Sequence, residues 1–214
     1  MLSLSIFSSS QRISVALYEK KNLKVYEKKK ISCNKIDSIF LLIKKILGKK
    51  MKNIDKIFFS SGPGSFTAIR SIKAIAQGLS IVSKARIISV SDFEIYLSNL
   101  NNTKNNVIVF FPNFKNYFYQ YFKFKKNRFE PCSNCFHGKE KELTGFIKEK
   151  KRIEKEKKLI ITSNKIEYEL IASIINSEEF IGCEPNAKKI AEAVFNGYGS
   201  DNLEISYHHT YYEK

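Results

Sequence analysis

The segment with the clearest chemical potential is Ser61-Gly62-Pro63-Gly64-Ser65-Phe66-Thr67, which follows an apolar run, Lys56 to Ser60, and precedes a long stretch of helical periodicity. Two glycines permit close backbone approach, and the first turn of a following helix offers unpaired N–H groups with partial positive charge. Gly62, Pro63, Gly64, Ser65, Phe66 and Thr67, with Arg70 one turn on, therefore form a candidate anion-contacting turn. It is not a Walker loop, because the Lys-Ser/Thr ending is absent. A strand-to-helix connection that only seats the helix would use the same residues, and both readings stay open.

Other chemistry is sparse. Four cysteines, Cys33, Cys132, Cys135 and Cys183, are too few for a disulfide scaffold at this length. Cys132 and Cys135 with His137 make half of a zinc site, but no second close pair completes it, and the adjacent His208 and His209 diverge on a helix or a strand alike. No metal site and no catalytic residues are expected. A peptidase would need a nucleophile with its base, or a metal, and the three histidines lack ligand spacing.

These residues must be positioned by a sizeable fold. The chain has 214 residues, 43% of them hydrophobic and 13% aromatic, enough for one large or two small cores. No run approaches the roughly 18 apolar residues of a membrane span, and Met1 to Phe7 lacks the basic start of a signal peptide, so a cytoplasmic protein without membrane association is expected. The net charge of +16 points to polyanions. Yet 32 Lys stand against 5 Arg, beside 28 Ile, 17 Asn and 9 Ala, the bias of A- and T-rich codons, so much of the charge reads as solvated surface. A basic RNA-binding module remains an alternative, because Tyr117, Phe118, Tyr119, Tyr121, Phe122 and Phe124 interleave with Lys123, Lys125 and Lys126. The same run alternates as a strand, which would send half of those rings inward.

Apolar alternation predicts strands at Leu2 to Phe7, Ile13 to Tyr18 and Leu23 to Ile31, then a helix capped by Ser32 or Asn34 and stopped by Gly48. A strand at Lys56 to Ser60, a helix from Ser65 to about Lys84, a strand at Arg86 to Val90 and a helix from Ser91 or Asp92 to Leu100 follow. After the polar stretch Asn101 to Asn106 the order resumes with strands at Val107 to Phe111, Tyr117 to Lys125 and near Phe129, and a helix at Glu140 to Ile153. Strand Leu159 to Thr162, helix Lys165 to Asn176, a short extended Phe180 to Gly182 and helix Asn186 to Asn196 end it. Two domains, 1–100 and 101–214, are expected. Each has a meander of strands followed by crossovers through helices, the α/β layout of duplicated ribonuclease H-like lobes, with a single larger α/β domain as the alternative.

Two helices carry surplus packing surface. Thr67, Ser71, Ala74 and Gly78 make a stripe of small residues, while the preceding helix is apolar around more than one face through Ile36, Ile39, Phe40, Leu41, Leu42, Ile43, Ile46 and Leu47. Ile36, Ile39, Phe40, Ile43 and Leu47 with Thr67, Ser71, Ala74 and Gly78 form a candidate partner interface; packing within the chain's own core is the competing use.

Ser61 to Arg70, followed by Ala74-Ile75-Ala76-Gln77-Gly78-Leu79, resembles the signature of the bacterial TsaB (YeaZ) family of tRNA threonylcarbamoyladenosine biosynthesis proteins. Ser14 to Leu17, Ile88 to Ser91 and Lys189 to Gly197 extend the likeness. The resemblance implies an actin-like fold of two ribonuclease H-like lobes, the second reduced. It also implies a non-catalytic scaffold that pairs with a TsaD-like catalytic subunit as a heterodimer, and that subunit modifies adenosine 37 of tRNA. A TsaE-like ATPase, indirect contact with tRNA, and ATP or ADP within the complex but no cofactor on this chain alone complete the expectation, with homodimer and monomer both open for the chain in isolation. Asp residues usual at the two strand ends are here Phe7 and Pro112, and Ala68 replaces the glycine usual after the motif's Thr. Without those carboxylates, an actin-like phosphotransferase lacks its metal anchors.

Overall fold

A computed structural model of the chain describes residues 1–9, 12–30, 35–100, 103–154, 159–164, 167–176 and 179–205. They fall into two compact units, one made of residues 1–98 and 185–205, the other of residues 99–184.

In the first unit, β1 (Leu2–Ser8), β2 (Arg12–Glu19) and β3 (Asn22–Lys30) form an antiparallel meander. Helix α1 (Lys35–Leu47) and a 3-10 turn at Gly48–Asn53 lead to β4 (Lys56–Gly62), which pairs parallel to β1. Helix α2 (Phe66–Ser83) crosses to β5 (Arg86–Ser91), parallel to β4, and α3 (Asp92–Ser98) follows. The sheet order is β3-β2-β1-β4-β5. Side chains alternate between its faces. Leu4, Ile6, Ile13, Val15, Leu17, Ile57 and Phe59 pack with Ile39, Ile43 and Leu47 of α1 and Ile72, Ala76 and Leu79 of α2. Phe7, Ala16, Tyr18, Phe58, Ile88 and Val90 face the other way.

Helix α6 (Ala187–Phe195) covers that second face through Ala187, Ile190, Ala191 and Ala193. Small strand residues let it approach: the Ser5 hydroxyl donates to the Ala187 carbonyl at 2.7 Å, and the Ala187 N–H donates to Ser14 Oγ at 2.9 Å. The chain then closes the β5 edge, where Ser89 and Ser200 exchange backbone hydrogen bonds at 2.9 Å. Gly199, at φ 87°, is required there because a Cβ would lie 2.8 Å from the Ser89 carbonyl oxygen.

The second unit repeats the strand order. Strands β6 (Asn106–Asn113), β7 (Asn116–Lys125) and β8 (Arg128–Pro131) form the meander, and the short β9 (Phe136–Gly138) also pairs with β7. Helix α4 (Glu140–Ile153) leads to β10 (Leu159–Ser163), then α5 (Tyr168–Ile171) to β11 (Phe180–Gly182), in the order β11-β10-β6-β7-β8. Leu143 and Ile147 of α4 and Ile171 of α5 pack on Ile108, Phe110, Tyr119, Tyr121 and Ile161. Glu154, just past α4, accepts hydrogen bonds from the Tyr121 hydroxyl and from Asn106 Nδ2, the latter at 2.8 Å, which ties the helix end to the sheet.

Three expectations are corrected. The second domain does not run from 101 to the end, because α6 belongs to the first unit: the first sheet has two apolar faces, and α1 and α2 cover one of them. The helix expected over 165–176 is a single turn, Tyr168–Ile171, followed by turns; Lys165 and Ile166 lie outside the described residues. Asn106, expected at the end of a polar linker or exposed loop, instead opens β6, buried and bonded to Glu154. The expected cap residues Ser32 and Asn34, and the tail after Ile205, also lie outside the described residues. Among the described residues no helix is long and apolar enough to cross a membrane.

Helix α6 begins at Asn186, whose side-chain oxygen accepts from the N–H groups of Lys188 at 2.9 Å and Lys189 at 3.2 Å. Asn186→Ala is therefore expected to cost about 1 kcal/mol, measured as a lower urea midpoint at unchanged denaturant slope.

Candidate functional site

The motif turn begins as β4 leaves the sheet. Gly62 sits at φ 90°, the Gly62–Pro63 peptide is cis, and the Gly62 N–H donates to Ser60 Oγ at 3.3 Å. Ser65 occupies the N-cap position of α2 with extended backbone, but its side chain makes no capping bond; its carbonyl accepts the first helical bond from Ile69 at 3.0 Å. The expected Ser65 cap is thus positional only. Phe66 opens the helix, and its side chain lies outside the described parts of the structure. Thr67 and Arg70 are exposed on the outer face of α2.

Behind the turn lies a carboxyl group that sequence reasoning placed only as a helix cap. Asp92 accepts a hydrogen bond from the Ser60 hydroxyl, and a Cβ at Gly64 would lie 3.3 Å from Asp92 Oδ2 and 3.6 Å from Ile69 Cδ1. A side chain at Gly64 would press on the Asp92 carboxyl, which would have to shift by a few tenths of an ångström. Burial pushes the Asp92 carboxyl up to about 7, against the opposing effect of the Ser60 hydrogen bond. Two residues on, Glu94 is also pushed up by burial, while it accepts hydrogen bonds from the backbone N–H groups of Ser91 at 2.8 Å and Gly199 at 3.3 Å. Carboxylates packed behind a turn weaken its attraction for anions, so the surroundings favour the seating role of the turn over phosphate binding.

The candidate interface divides. Ile39, Ile43 and Leu47 lie in the core against the sheet, so they are not available to a partner. Their spacing of three to four residues is the sheet-facing stripe of α1. Ile36 and Phe40 are exposed, joined by Leu41 at 62% exposure. On α2, Thr67, Ala74 and Gly78 are exposed, and Ser71 is half-buried with its hydroxyl donating to the Thr67 carbonyl at 2.7 Å. The stripe continues through Ile81, 74% exposed, and Val82. Both were legible as the next repeat of the small-residue spacing. Both helices cover the same sheet face, and each leaves apolar or small residues exposed on its outer side.

The other candidates do not converge. Cys132 is exposed, Cys183 is buried, and burial pushes the Cys135 thiol up to about 12, while Cys33, His208 and His209 lie outside the described residues. His137 stacks on Phe118 with ring centroids 4.6 Å apart and contacts Asn113 at 3.2 Å. Among the described residues no three His, Cys, Asp or Glu side chains gather as metal ligands. Phe118, Tyr119, Tyr121 and Phe122 are buried, so β7 spends most of its rings on the core and offers little stacking platform for RNA. Phe7 is buried against Ala16 and Tyr18 on the α6 side, and Pro112 is exposed in β6.

Residues 31–175, about two thirds of the chain, match the family model described as TsaD: tRNA N6-adenosine threonylcarbamoyltransferase. The tRNA threonylcarbamoyladenosine biosynthesis protein TsaB of Buchnera aphidicola subsp. Acyrthosiphon pisum is 32% identical over 95% of this chain and 92% of its own length. The chain belongs to the TsaB family. Its fold agrees with that of YeaZ from Pseudomonas aeruginosa, at TM-score 0.68 and 14% identity over 96% of this chain and 99% of that one. A polyphosphate/ATP-glucomannokinase from Arthrobacter shares the architecture at TM-score 0.55 and 8% identity, covering 91% of this chain and 97% of that one. The duplicated strand order is that of the actin-like class of ribonuclease H-like folds. In this TsaB-family chain the matched span holds α1, α2 and the motif turn, whereas α6 lies beyond it.

The raised Asp92 carboxyl gives a pH signature. The folded state keeps a proton that the unfolded chain releases near pH 4, so this contribution to stability is complete below about pH 4 and is lost as pH rises through about 7. Asp92→Asn is expected to gain on the unsubstituted protein across that window, by at most about 1.4 kcal/mol per pH unit. Denaturant unfolding of both proteins at several pH values measures the difference; parallel curves would remove the burial argument.

Proposed function

We propose that this chain is a non-catalytic scaffold and activating subunit in threonylcarbamoyl modification of adenosine 37 in tRNA, docking on a TsaD-like catalytic subunit. The observation that carries the reading is the exposure of apolar and small residues on the two helices of one sheet face, Ile36, Phe40 and Leu41 on α1 and Ala74, Gly78, Ile81 and Val82 on α2, in a TsaB-family chain. Burying such residues is favourable at about 25 cal/mol per Å2, and the small residues of α2 let a partner helix approach closely. Catalysis resides in the partner: Phe7 and Pro112 stand where a metal-dependent phosphotransferase would carry carboxylates. ATP or ADP enters with the complex and not with this chain alone, a TsaE-like ATPase joins the pair, and tRNA is met through the assembly. In isolation the same residues support a homodimer.

Co-purification with the TsaD-like subunit of the same organism tests this, together with threonylcarbamoyladenosine formation on tRNA with and without this chain. A stable pair whose activity depends on the chain is expected. Ala74→Arg should abolish pairing while leaving the circular dichroism and the thermal midpoint unchanged; pairing retained by that variant, or activity independent of the chain, would refute the reading. Core and surface are also separable: Ile43→Ala is expected to lose about 2–5 kcal/mol of stability, whereas Phe40→Ala should leave stability nearly unchanged and weaken pairing at least tenfold.

A further inference from the structure

The positive charge of the chain is unevenly placed. Residues 12–56 hold 14 of the 37 Lys and Arg but only 4 of the 21 Asp and Glu, whereas the rest of the chain carries 23 against 17. Compositional drift would spread lysines evenly, so a surplus concentrated on β2, β3, α1 and the turn after it has a local cause.

β3 is an edge strand of the first sheet, and among the described residues it pairs only with β2. In that register Tyr26 lies opposite Ala16, Lys28 opposite Ser14 and Lys30 opposite Arg12. Residues directly opposite each other point to the same face, and Ser14 bonds the start of α6, so this is the α6 face. From α6 itself, Lys188 reaches over the Tyr26 ring at 4.3 Å. Lys188, Lys28 and Lys30, with Arg12 beside Lys30, thus form a row along the strand, with steps of about 7 Å, the rise of two residues. Lys28, Lys29, Lys30 and Arg12 are exposed. Among the described residues, Lys28, Lys29 and Lys30 make no ion pair and no side-chain hydrogen bond. The acidic residues of the meander are taken up elsewhere: Glu19 by Lys24 at 3.1 Å and Glu27, on the opposite face, by Lys45 at 2.9 Å. On α6, Glu192 is held by Lys189 at 2.7 Å.

A row of cations along one strand suits a linear polyanion more than a compact anion, which one or two cations would satisfy. Lysines present point charges, not the planar forks that read base edges, so the contact they favour is with phosphates. The family's pathway supplies such a polyanion in tRNA. We propose that the β3 edge on the α6 face, through Lys28, Lys30, Arg12 and Lys188, contacts the phosphate backbone of tRNA without reading its sequence. The inference rests on the reading that tRNA is met through the assembly, and adds a contact made by this chain itself. The row lies on the sheet face opposite α1 and α2, so RNA and a docked subunit use different residues. Lysines on an edge strand also deter edge-to-edge pairing of sheets, and the experiment separates the two uses.

Fluorescence anisotropy of a labelled, unmodified tRNA transcript, titrated with the full chain over a range of potassium chloride concentrations, tests the proposal. Binding is expected to weaken steeply with salt. The double variant Lys28→Gln/Lys30→Gln should bind about tenfold more weakly at low salt and lower the slope of log affinity against log salt by about two, with an unchanged thermal midpoint. Lys141→Gln/Lys148→Gln, which removes the same charge from exposed positions on α4, should leave both nearly unchanged. Absence of saturable tRNA binding, equal losses in the two double variants, or displacement of tRNA by polyglutamate at equal charge concentration would each overturn the inference. So would self-association of Lys28→Gln/Lys30→Gln on size-exclusion chromatography with tRNA affinity intact, the mark of edge protection. Ala74→Arg, which is expected to lose pairing, should bind tRNA as the unsubstituted chain does. Pairing without the RNA contact would sink only this inference, and the RNA contact without pairing only the subunit reading.

Discussion

The two hydrogen bonds that tie Ala187 to Ser5 and Ser14 hold the first unit together across the longest stretch of sequence in it. The first sheet is apolar on both faces, and α1 and α2 cover one. Without a helix from the far end of the chain, Phe7, Ala16, Tyr18, Phe58 and Val90 would face water. Serines at the strand positions under α6 solve a packing problem: they are small enough for the helix to approach, and the Ser14 hydroxyl gives the Ala187 N–H, which has no partner within the helix, an acceptor. Phe195 then packs edge-on against Tyr18 and Phe58, at 5.2 and 5.9 Å, and closes the layer. The segment that follows α6 can therefore reach β5 and cap its open edge.

That edge closure shapes the surroundings of the motif turn. Gly199 approaches Ser89 closely enough that no side chain fits, and its N–H fixes Glu94. Asp92, at the start of the same short helix, seats the turn from behind through Ser60 and the space left by Gly64. Of the two glycines that look like a phosphate cradle in one dimension, Gly64 lies in three against a buried carboxyl and Gly62 takes the positive φ of the turn. The chemistry near the turn is acidic and hydroxyl-rich in a chain whose surface is basic.

On α1 the eight apolar side chains that crowd the helix are shared between two uses. Ile39, Ile43 and Leu47 fill the core, while Ile36, Phe40 and Leu41 remain on the surface. Lysines 44 and 45 end the helix where cations are favoured, and Lys45 pairs with Glu27 at 2.9 Å. Exposed apolar residues of this kind on a highly charged protein are costly to leave in water, and the physical basis of a subunit role lies there.

Alternation of period two and stripes of period three to four were strong enough in this sequence to determine nearly every strand, the long helices α1, α2 and α4, and the duplicated order of elements, because each depends on local burial patterns. The turn from Gly62 to Thr67 and its family resemblance were legible for the same reason: they occupy contiguous residues. The partner surface was half legible, since an excess of apolar residues on α1 shows in the sequence, but which of them face the sheet depends on the phase of the helix against β2 and β3. Tertiary structure alone decided that α6 belongs to the first unit, that Asp92 sits behind Gly64, and that Arg12, Lys28 and Lys30 share one sheet face with Lys188. Each of these joins residues that are far apart in the chain, and their meeting is set by which apolar face lacked a cover, a property of the assembled sheet that no local pattern records.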